Sequence, residues 1–183
     1  MSRSGLTAEI ADCRVQLEHG DITRQTTTSI VNSMCGGTSL GGGECNKAIV
    51  NAAGNTIATE YQTNNKGNSD LVMTKAGNLE QTQIFHVVAK NDTTVLKDLV
   101  ERTLRKAESE EMVSIAFPAL GTGHMGGDAK KLAVPMFDAM RDFALEDRPI
   151  VLRTIKLVIY KPELFDIYKE AMQETLDRYC IVD

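Results

Sequence analysis

The sequence has no long apolar run, since its longest uninterrupted apolar stretches are only a handful of residues. A helix that crosses a membrane needs about 20 consecutive apolar residues, so we predict no membrane-spanning segment and no membrane partner. The cysteines Cys13, Cys35, Cys45 and Cys180 form no CxxC pair and none of the dense spacings of a disulfide scaffold. This absence favours a reducing compartment, and we expect the protein to be cytoplasmic, nuclear or both.

The chain also lacks an excess of positive charge, because its formal net charge is −5 at pH 7. Nucleic-acid backbones and acidic membrane surfaces require clustered lysine and arginine, so neither is predicted as a direct partner. A small anionic ligand is not excluded, because oriented backbone amides supply positive potential without a formal charge.

Several catalytic and metal-binding signatures are absent as well. The sequence has no HExxH, P-loop or GxSxG motif, which are signatures of zinc peptidases, P-loop nucleotide hydrolases and serine hydrolases. His19, His86 and His124 have no metal-ligand spacing with cysteines or carboxylates. His86 lies in an apolar strand pattern that is typical of a core histidine. We therefore predict no metal and no cofactor.

What is present is an alternation of strand and helix patterns. The 183 residues, 42% hydrophobic and 25% charged, fit one soluble domain over 11–183, with 1–10 as an N-terminal tail or expression remnant. Apolar runs and period-two patterns predict strands over 14–19, 29–33, 71–74, 84–88, 113–117 and 155–160. Helical patterns begin near 44, 56, 93, 128 and 162, and Pro135 implies a kink or a late start in the fourth. This alternation predicts an α/β fold with a mixed, largely parallel central sheet and helices on both faces.

The stretch Val113–Gly127, VSIAFPALGTGHMGG, is the most informative part of the sequence. An apolar strand pattern leads into Pro118, a glycine-rich turn follows, and a helical pattern begins at Asp128. This order places backbone N–H groups at a helix N-terminus, where an anion binds close to the chain. We predict that the turn holds the phosphates of a nucleotide-like ligand, and that a second glycine run, Gly41–Gly43, closes over the ligand from the other side.

The turn Gly121–Gly126 is also a literal GxGxxG motif and allows two other interpretations. One is a nicotinamide dinucleotide site. The late position in the chain disfavours it, and so does the end of the last predicted strand, where Tyr160 and Lys161 stand instead of an acidic residue. The other interpretation is a purely structural glycine turn, which the second glycine run disfavours.

Two residues at predicted strand ends each allow a structural and a functional interpretation. Asp21 follows the first predicted strand, and it either caps its own turn or accepts a hydrogen bond from the exocyclic amine of adenine. Tyr160 is either an ordinary half-buried aromatic or a ring that stacks on a base, worth roughly 1–3 kcal/mol. Ligands of α/β folds bind outside the carboxyl ends of the strands, so Asn32, Gly121 and Tyr160 are all expected near one site.

Taken in order, these stretches resemble the macrodomain family, whose three-layer α/β/α fold binds ADP-ribose. Each match is weak alone, but the ordered set extends from about residue 14 to 175. The matching stretches are Gly20–Thr23, Ile30–Ser33, Gly41–Gly43, Lys47–Ile49, Ala52–Gly54, Ile84–Val87, Phe117–Gly123 and Val158–Tyr160. The Asn32–Ser33 start of the first loop and the Gly121–Gly123 core of the second most resemble macrodomains carried by mono-ADP-ribosyltransferases of the poly-ADP-ribose polymerase superfamily, particularly their reader-type third macrodomain.

The resemblance implies a role for each residue of the site. Asp21 would hold the adenine amine, the Ile22 N–H would reach the first phosphate, Asn32 would contact the distal ribose, and Tyr160 would stack on adenine. Backbone amides, rather than lysine or arginine, would bind the diphosphate. The residues implied to line or wrap it are Gly41, Gly42, Gly43, Glu44 and Cys45 in the first loop and Leu120, Gly121, Thr122, Gly123, His124 and Met125 in the second.

Departures from the family pattern bear on whether the domain is a binding module or an enzyme. Members that hydrolyse mono-ADP-ribose usually have Asn-Ala-Ala-Asn at Asn32–Cys35, an acidic residue near Asn46, and often an aromatic residue at Met125. An amide at Asn46 cannot take a proton from water, although Glu44 is acidic and nearby. We predict a non-catalytic reader of ADP-ribose and mono-ADP-ribosylated proteins, monomeric as an isolated domain, with a mono-ADP-ribosyl hydrolase as the alternative.

Overall fold

The computed structural model describes residues 4–36, 39–123 and 126–180. The strands are β1 (Leu6–Ile10), β2 (Cys13–His19), β3 (Ser29–Met34), β4 (Leu71–Lys75), β5 (Gln83–Val88), β6 (Ser114–Pro118) and β7 (Thr154–Ile159). The helices are α1 (Glu44–Ala53), α2 (Thr56–Asn64), α3 (Thr93–Ser109), α4 (Ala129–Asp142) and α5 (Pro162–Cys180). A 3-10 helix at Ile22–Arg24 follows β2, and a π-helical turn at Phe143–Asp147 follows α4. Within these ranges, none of the helices is long and apolar enough to span a membrane.

In the described residues, seven strands form one mixed sheet in the order β1-β2-β7-β6-β3-β5-β4. The inner strands from β2 to β5 run parallel, and the edge strands β1 and β4 run antiparallel to their neighbours. The carboxyl ends of the inner strands therefore meet at one edge of the sheet, where ligands of α/β folds bind. The predicted α/β fold with a mixed, largely parallel sheet is confirmed.

Different helices bury the two faces of the sheet, because successive residues of a strand point to opposite faces. On one face, Val31, Phe85 and Phe117 belong to a core that also holds the apolar sides of α3, α4 and α5. On the other face, Ile30 and Ile84 pack in a smaller core with α1 and α2. The sheet thus lies between two helical layers, which hold the strand ends in place.

Residues 6–10 form the edge strand β1 and do not lie in a tail. This strand pairs antiparallel with β2, from Leu6 opposite Leu17 to Ile10 opposite Cys13, and Ile10 is 2% exposed. The alternation of Leu6, Ala8 and Ile10 with polar residues is the pattern of a half-buried strand. The prediction of a tail over 1–10 is therefore wrong for 6–10, and the folded domain begins before residue 11.

Helix α4 begins directly after the second glycine loop. Its first residue is Ala129, and the Asp128 carboxylate caps it by accepting a hydrogen bond from the Lys130 N–H over 3.0 Å. Pro135 is buried inside the helix, so the alternative of a late helix start is wrong. The loop 119–128 therefore connects the end of β6 to the start of α4.

Candidate functional site

A cavity of about 710 Å³ opens at the carboxyl ends of the parallel strands. The ends of β2, β3, β6 and β7, the start of α1 and the loop between β6 and α4 form its walls. Its volume is typical of small-molecule sites, which hold about 300–1,000 Å³. The predicted site residues on its wall are Asp21, Ile22, Gly43, Glu44, Cys45, Gly121, Thr122, Gly123 and Tyr160.

Other predicted site residues are not brought to this wall. Within the described ranges, Gly41 and Gly42 are exposed beside the cavity lining, and Leu120 and Asn32 are fully buried away from it. The predicted roles of His124 and Met125 lie outside the described residues. Four of the predicted site residues therefore lie off the cavity wall in the described structure.

Asp21 caps the 3-10 helix that follows β2, which confirms the structural interpretation of this residue. Its Oδ1 accepts hydrogen bonds from the Thr23 N–H over 2.9 Å and from the Thr23 hydroxyl over 2.7 Å. The second oxygen, Oδ2, lies 4.0 Å from Arg24 Nε, and the side chain is 38% exposed. The cap uses one carboxylate oxygen, so the functional interpretation remains open for the other.

The N-terminus of α1 forms one wall of the cavity. Gly43 is its N-cap residue at φ +79°, a left-handed conformation that favours glycine. In the described chain no side chain caps this helix, so its first N–H groups are open to an anion. A Cβ at Gly43 would lie 3.2 Å from Cys35 Sγ, so the Cys35 side chain packs against this loop.

The turn after β6 forms the facing wall. Gly121 adopts φ +77°, and its carbonyl accepts a hydrogen bond from the Gly127 N–H over 3.0 Å, which closes the loop. Gly123 lies on the cavity wall with no described heavy atom within 4 Å of where a Cβ would stand. Asp128 places a carboxylate at the N-terminus of α4, which disfavours a second anion there.

Tyr160 is an exposed aromatic residue at the end of β7. The residue lines the cavity and is 71% exposed. His19 Nε2 lies 3.2 Å from the Tyr160 carbonyl, which ties the end of β2 to the residue that follows β7. The interpretation as a half-buried strand aromatic is therefore wrong, and the ring is accessible to a planar ligand.

Asn32 lies in a buried polar chain at the end of β3. Its Nδ2 donates to Asn46 Oδ1 over 2.8 Å and to His86 Nδ1 over 3.0 Å. His86 Nε2 lies 2.8 Å from Thr74 Oγ1, which donates to the Lys75 carbonyl, so the imidazole proton is on Nε2. Burial lowers the pKa of His86 to about 3, which keeps the ring neutral.

The side-chain carbonyl oxygen of Asn32, Oδ1, has no hydrogen-bond partner among the described residues. Buried polar atoms are almost always paired with protein or water. The Oδ1 atom is therefore an acceptor that a water or a ligand hydroxyl would complete. Because Asn32 is 0% exposed, direct contact with the distal ribose stays a prediction.

Sequence reasoning missed two lysines on the cavity wall. Lys47, in the first turn of α1, and Lys161, after β7, both line the cavity, and Lys161 Nζ lies 3.2 Å from Glu44 Oε2. An exposed lysine is among the commonest surface residues, so no local signal identified either one. Only the fold brings these cations to a site that was predicted to use amides alone.

The thiol of Cys45 is unsuited to nucleophilic chemistry. Burial raises its pKa to about 11, although a hydrogen bond from the Ser33 backbone opposes that shift. The group is therefore protonated at neutral pH, and a thiol is a far weaker nucleophile than a thiolate. Cys45 contributes to the wall of the cavity by packing.

Comparison with known proteins agrees with the fold. The family model described as Macro domain matches residues 31–136. The human protein mono-ADP-ribosyltransferase PARP14 is 31% identical over 160 residues, which are 87% of this chain and 9% of that protein. The chain thus spans less than a tenth of that relative. The O-acetyl-ADP-ribose deacetylase of Citrobacter koseri is 29% identical over 176 residues, covering 90% of this chain and 98% of that protein.

Solved structures of the Oceanobacillus iheyensis macrodomain share the fold. The structure with ADP has a TM-score of 0.87 at 25% identity and covers 96% of this chain and 98% of that chain. A mutant of the same macrodomain with ADPR has a TM-score of 0.87 at 23% identity and covers 95% of this chain and 100% of that chain. The architecture described above is therefore that of a macrodomain.

Proposed function

The chain belongs to the macrodomain family, and from this premise we propose that it binds ADP-ribose and reads mono-ADP-ribosylated proteins without catalysis. The observation that carries the proposal is the meeting of two amide-rich segments in one cavity. The uncapped start of α1 at Gly43 and the turn at Gly121–Gly123 lie on facing walls. In this proposal the diphosphate lies between them and accepts hydrogen bonds from both.

The order of the strands matches the order of groups in ADP-ribose. In the sheet, β2 and β7 are followed by β6 and then β3. Asp21 and Tyr160 follow β2 and β7. The turn Gly121–Gly123, here called the phosphate turn, follows β6. Ser33 and Cys35 lie on the wall at the end of β3. In this proposal the adenine lies at β2 and β7, the diphosphate at β6, and the distal ribose at β3.

The adenosine end has two groups suited to adenine. The accessible ring of Tyr160 provides a stacking surface, and Asp21 Oδ2 is an acceptor for the exocyclic amine. Guanine carries a carbonyl oxygen in place of that amine, which a carboxylate repels. The proposal therefore includes a preference for adenine over guanine.

The chemistry of the wall favours binding over hydrolysis. Among the described residues, the carboxylates on the wall are Asp21 and Glu44. One oxygen of Asp21 caps its own turn, and Glu44 pairs with Lys161. The resemblance places an acidic residue near Asn46 in the members that are hydrolases. In this chain Asn46 is 1% exposed and carries an amide, which cannot act as a general base.

A mono-ADP-ribosyl hydrolase is the second candidate, favoured by the similarity to a protein named O-acetyl-ADP-ribose deacetylase. Glu44 is the described carboxylate at the start of α1, and its side chain is 81% exposed. In this alternative Glu44 leaves Lys161 and activates a water against the distal ribose.

Titration calorimetry with ADP-ribose tests the binding proposal. We expect saturable binding at one site, and weaker binding of GDP-ribose as the matched control ligand. No heat at high micromolar ADP-ribose would contradict both the reader and the hydrolase.

Incubation with a mono-ADP-ribosylated protein separates the two candidates. The reader is expected to retain the modified protein on a column and to release no free ADP-ribose. Release that depends on protein concentration and disappears in Glu44→Gln would establish the hydrolase instead.

A further inference from the structure

An ion pair between Lys161 and Glu44 crosses the mouth of the cavity. Lys161 follows β7, and Glu44 is the first residue of α1, which follows β3. Strand β6 separates β7 from β3 in the sheet, so the two strands lie about 10 Å apart, twice the usual spacing. Their side chains nevertheless meet, with Nζ 3.2 Å from Oε2. Because both residues line the cavity, the pair lies across the entry of a ligand that reaches the turn after β6.

This ion pair is easily broken. The side chains of Lys161 and Glu44 are 44% and 81% exposed, and ion pairs between exposed side chains have small net energies. The pair therefore contributes little to folding, and a ligand anion is able to replace the Glu44 carboxylate as the partner of Lys161.

The position of Glu44 makes it a competitor of the proposed ligand. It stands in the first turn of α1, where the helix N-terminus favours negative charge. The diphosphate of ADP-ribose would occupy the same positive potential and is itself anionic. A carboxylate and a diphosphate therefore compete for the α1 N-terminus and for Lys161.

We propose that Lys161 is a phosphate-binding residue that Glu44 occupies in the ligand-free protein, and that this exchange sets the affinity for ADP-ribose. Without ligand, Lys161 pairs with Glu44. In the complex, Lys161 pairs with the diphosphate and Glu44 turns to solvent. The proposal rests on the ADP-ribose binding proposed above and adds a cationic side chain to the amides of the two loops.

A double-mutant cycle measured by calorimetry with ADP-ribose tests the exchange. Lys161→Met is expected to weaken binding about threefold, and Glu44→Gln to tighten it about fivefold in the parent protein. In the Lys161→Met background, Glu44→Gln no longer releases a lysine. The same substitution is then expected to tighten binding by about twofold or less.

The pair Lys106–Glu110 on α3 is the matched control. Its side chains are 2.6 Å apart, Lys106 is 44% exposed like Lys161, and neither residue lines the cavity in the described structure. Lys106→Met and Glu110→Gln are expected to leave ADP-ribose affinity unchanged. All variants should melt near the parent temperature, since each removes only an exposed ion pair.

The outcomes distinguish a failure of the proposed lysine exchange from a failure of ADP-ribose binding, on which the exchange rests. If Glu44→Gln tightens binding equally with and without Lys161, simple repulsion explains Glu44 and the exchange is overturned while ADP-ribose binding stands. Unchanged affinity in Lys161→Met overturns it as well. If neither the parent nor any variant binds ADP-ribose, the exchange fails together with the proposed function.

Discussion

Asn32 Nδ2 donates a hydrogen bond to Asn46 Oδ1 across 2.8 Å and thereby joins the end of β3 to the first turn of α1. Both side chains are buried, at 0% and 1% exposure. The ring of His86 on the other side of Asn32 is neutral, because burial lowers its pKa to about 3. A carboxylate at position 46 would keep the accepting oxygen but would bring a charge into a neutral environment.

We expect Asn46→Asp to lower the free energy of unfolding by about 1–3 kcal/mol at neutral pH. Burial raises the pKa of a carboxyl above its unfolded value of about 3.9. The loss of stability caused by Asn46→Asp is therefore absent at pH values below the unfolded pKa. It develops as the pH rises from the unfolded pKa to the folded pKa. Urea unfolding near pH 4 and pH 7 measures this, with Asn51→Asp on the exposed side of α1 as the control. A loss of stability that is equal at both pH values would point to packing rather than charge.

This amide pair also shows what the sequence was able to predict. The strand that carries Asn32 and the helix that carries Asn46 follow from local patterns, and Gly54 is the C-cap of α1 at φ +87°. The contact of Asn32 with His86 depends instead on the register of β3 against β5, which places these residues directly opposite each other. Register is a property of the assembled sheet, so burial of Asn32 away from the cavity wall was not predictable.

The same distinction holds for the candidate site. The glycine loops and Asp21 carry their own signals, because backbone conformation and capping are local. The pairing of Lys161 with Glu44 has no local signal, since a parallel sheet with β6 between their strands brings them together. Strand β1 did carry a local signal in the alternation of Leu6, Ala8 and Ile10, so its assignment to a tail was an error of interpretation.

Asp21→Asn separates the two roles of Asp21. Asparagine is as effective an N-cap as aspartate, so the hydrogen bond from the Thr23 N–H is retained while the carboxylate is lost. We expect the affinity for ADP-ribose to fall about tenfold, because a hydrogen bond to a charged acceptor is lost. The preference over GDP-ribose should shrink, and the melting temperature should stay near that of the parent. Calorimetry with both ligands measures the effect.

Asp92→Asn is the control for this substitution. Asp92 is also an N-cap, accepting from the Val95 N–H over 2.9 Å, but it is exposed and lies at the start of α3, outside the described cavity lining. Its replacement should leave both affinities unchanged. Equal behaviour of Asp21→Asn and Asp92→Asn would refute contact between Asp21 and adenine.

Gly123→Glu tests the phosphate turn without disturbing the fold. Gly123 is not at positive φ, and among the described atoms none lies within 4 Å of where a Cβ would stand. The new carboxylate would enter the cavity and repel the diphosphate, at a cost of several kcal/mol. We expect the affinity for ADP-ribose to fall on the order of a hundredfold, with an unchanged melting temperature. Gln62 is exposed on α2, so Gln62→Glu controls for the added negative charge. Retained affinity for ADP-ribose in Gly123→Glu would mean that the turn is only structural.

Glu108 ties α3 to the segment that precedes β7. Its carboxylate accepts hydrogen bonds from the backbone N–H groups of Ile150 and Leu152, each over 2.7 Å, and from Val151 over 3.1 Å. Burial alone would raise the pKa of Glu108, but the three backbone donors outweigh it, and the pKa is lowered. The ionised carboxylate therefore stabilises the fold through a contact far from the cavity.

The folded pKa of Glu108 lies below the unfolded value of about 4.3. The contribution of Glu108 to the free energy of unfolding is therefore fully present above the unfolded pKa and is lost as the pH falls through the folded pKa. Glu108→Gln replaces one accepting oxygen with an N–H₂ group that faces backbone donors. We expect a lower urea midpoint than the parent at pH 7, and a difference that narrows as the pH falls below about 4. Glu170→Gln, exposed on α5, should match the parent throughout. A difference that does not change with pH would mean that Glu108 stabilises this junction by packing and not as a carboxylate.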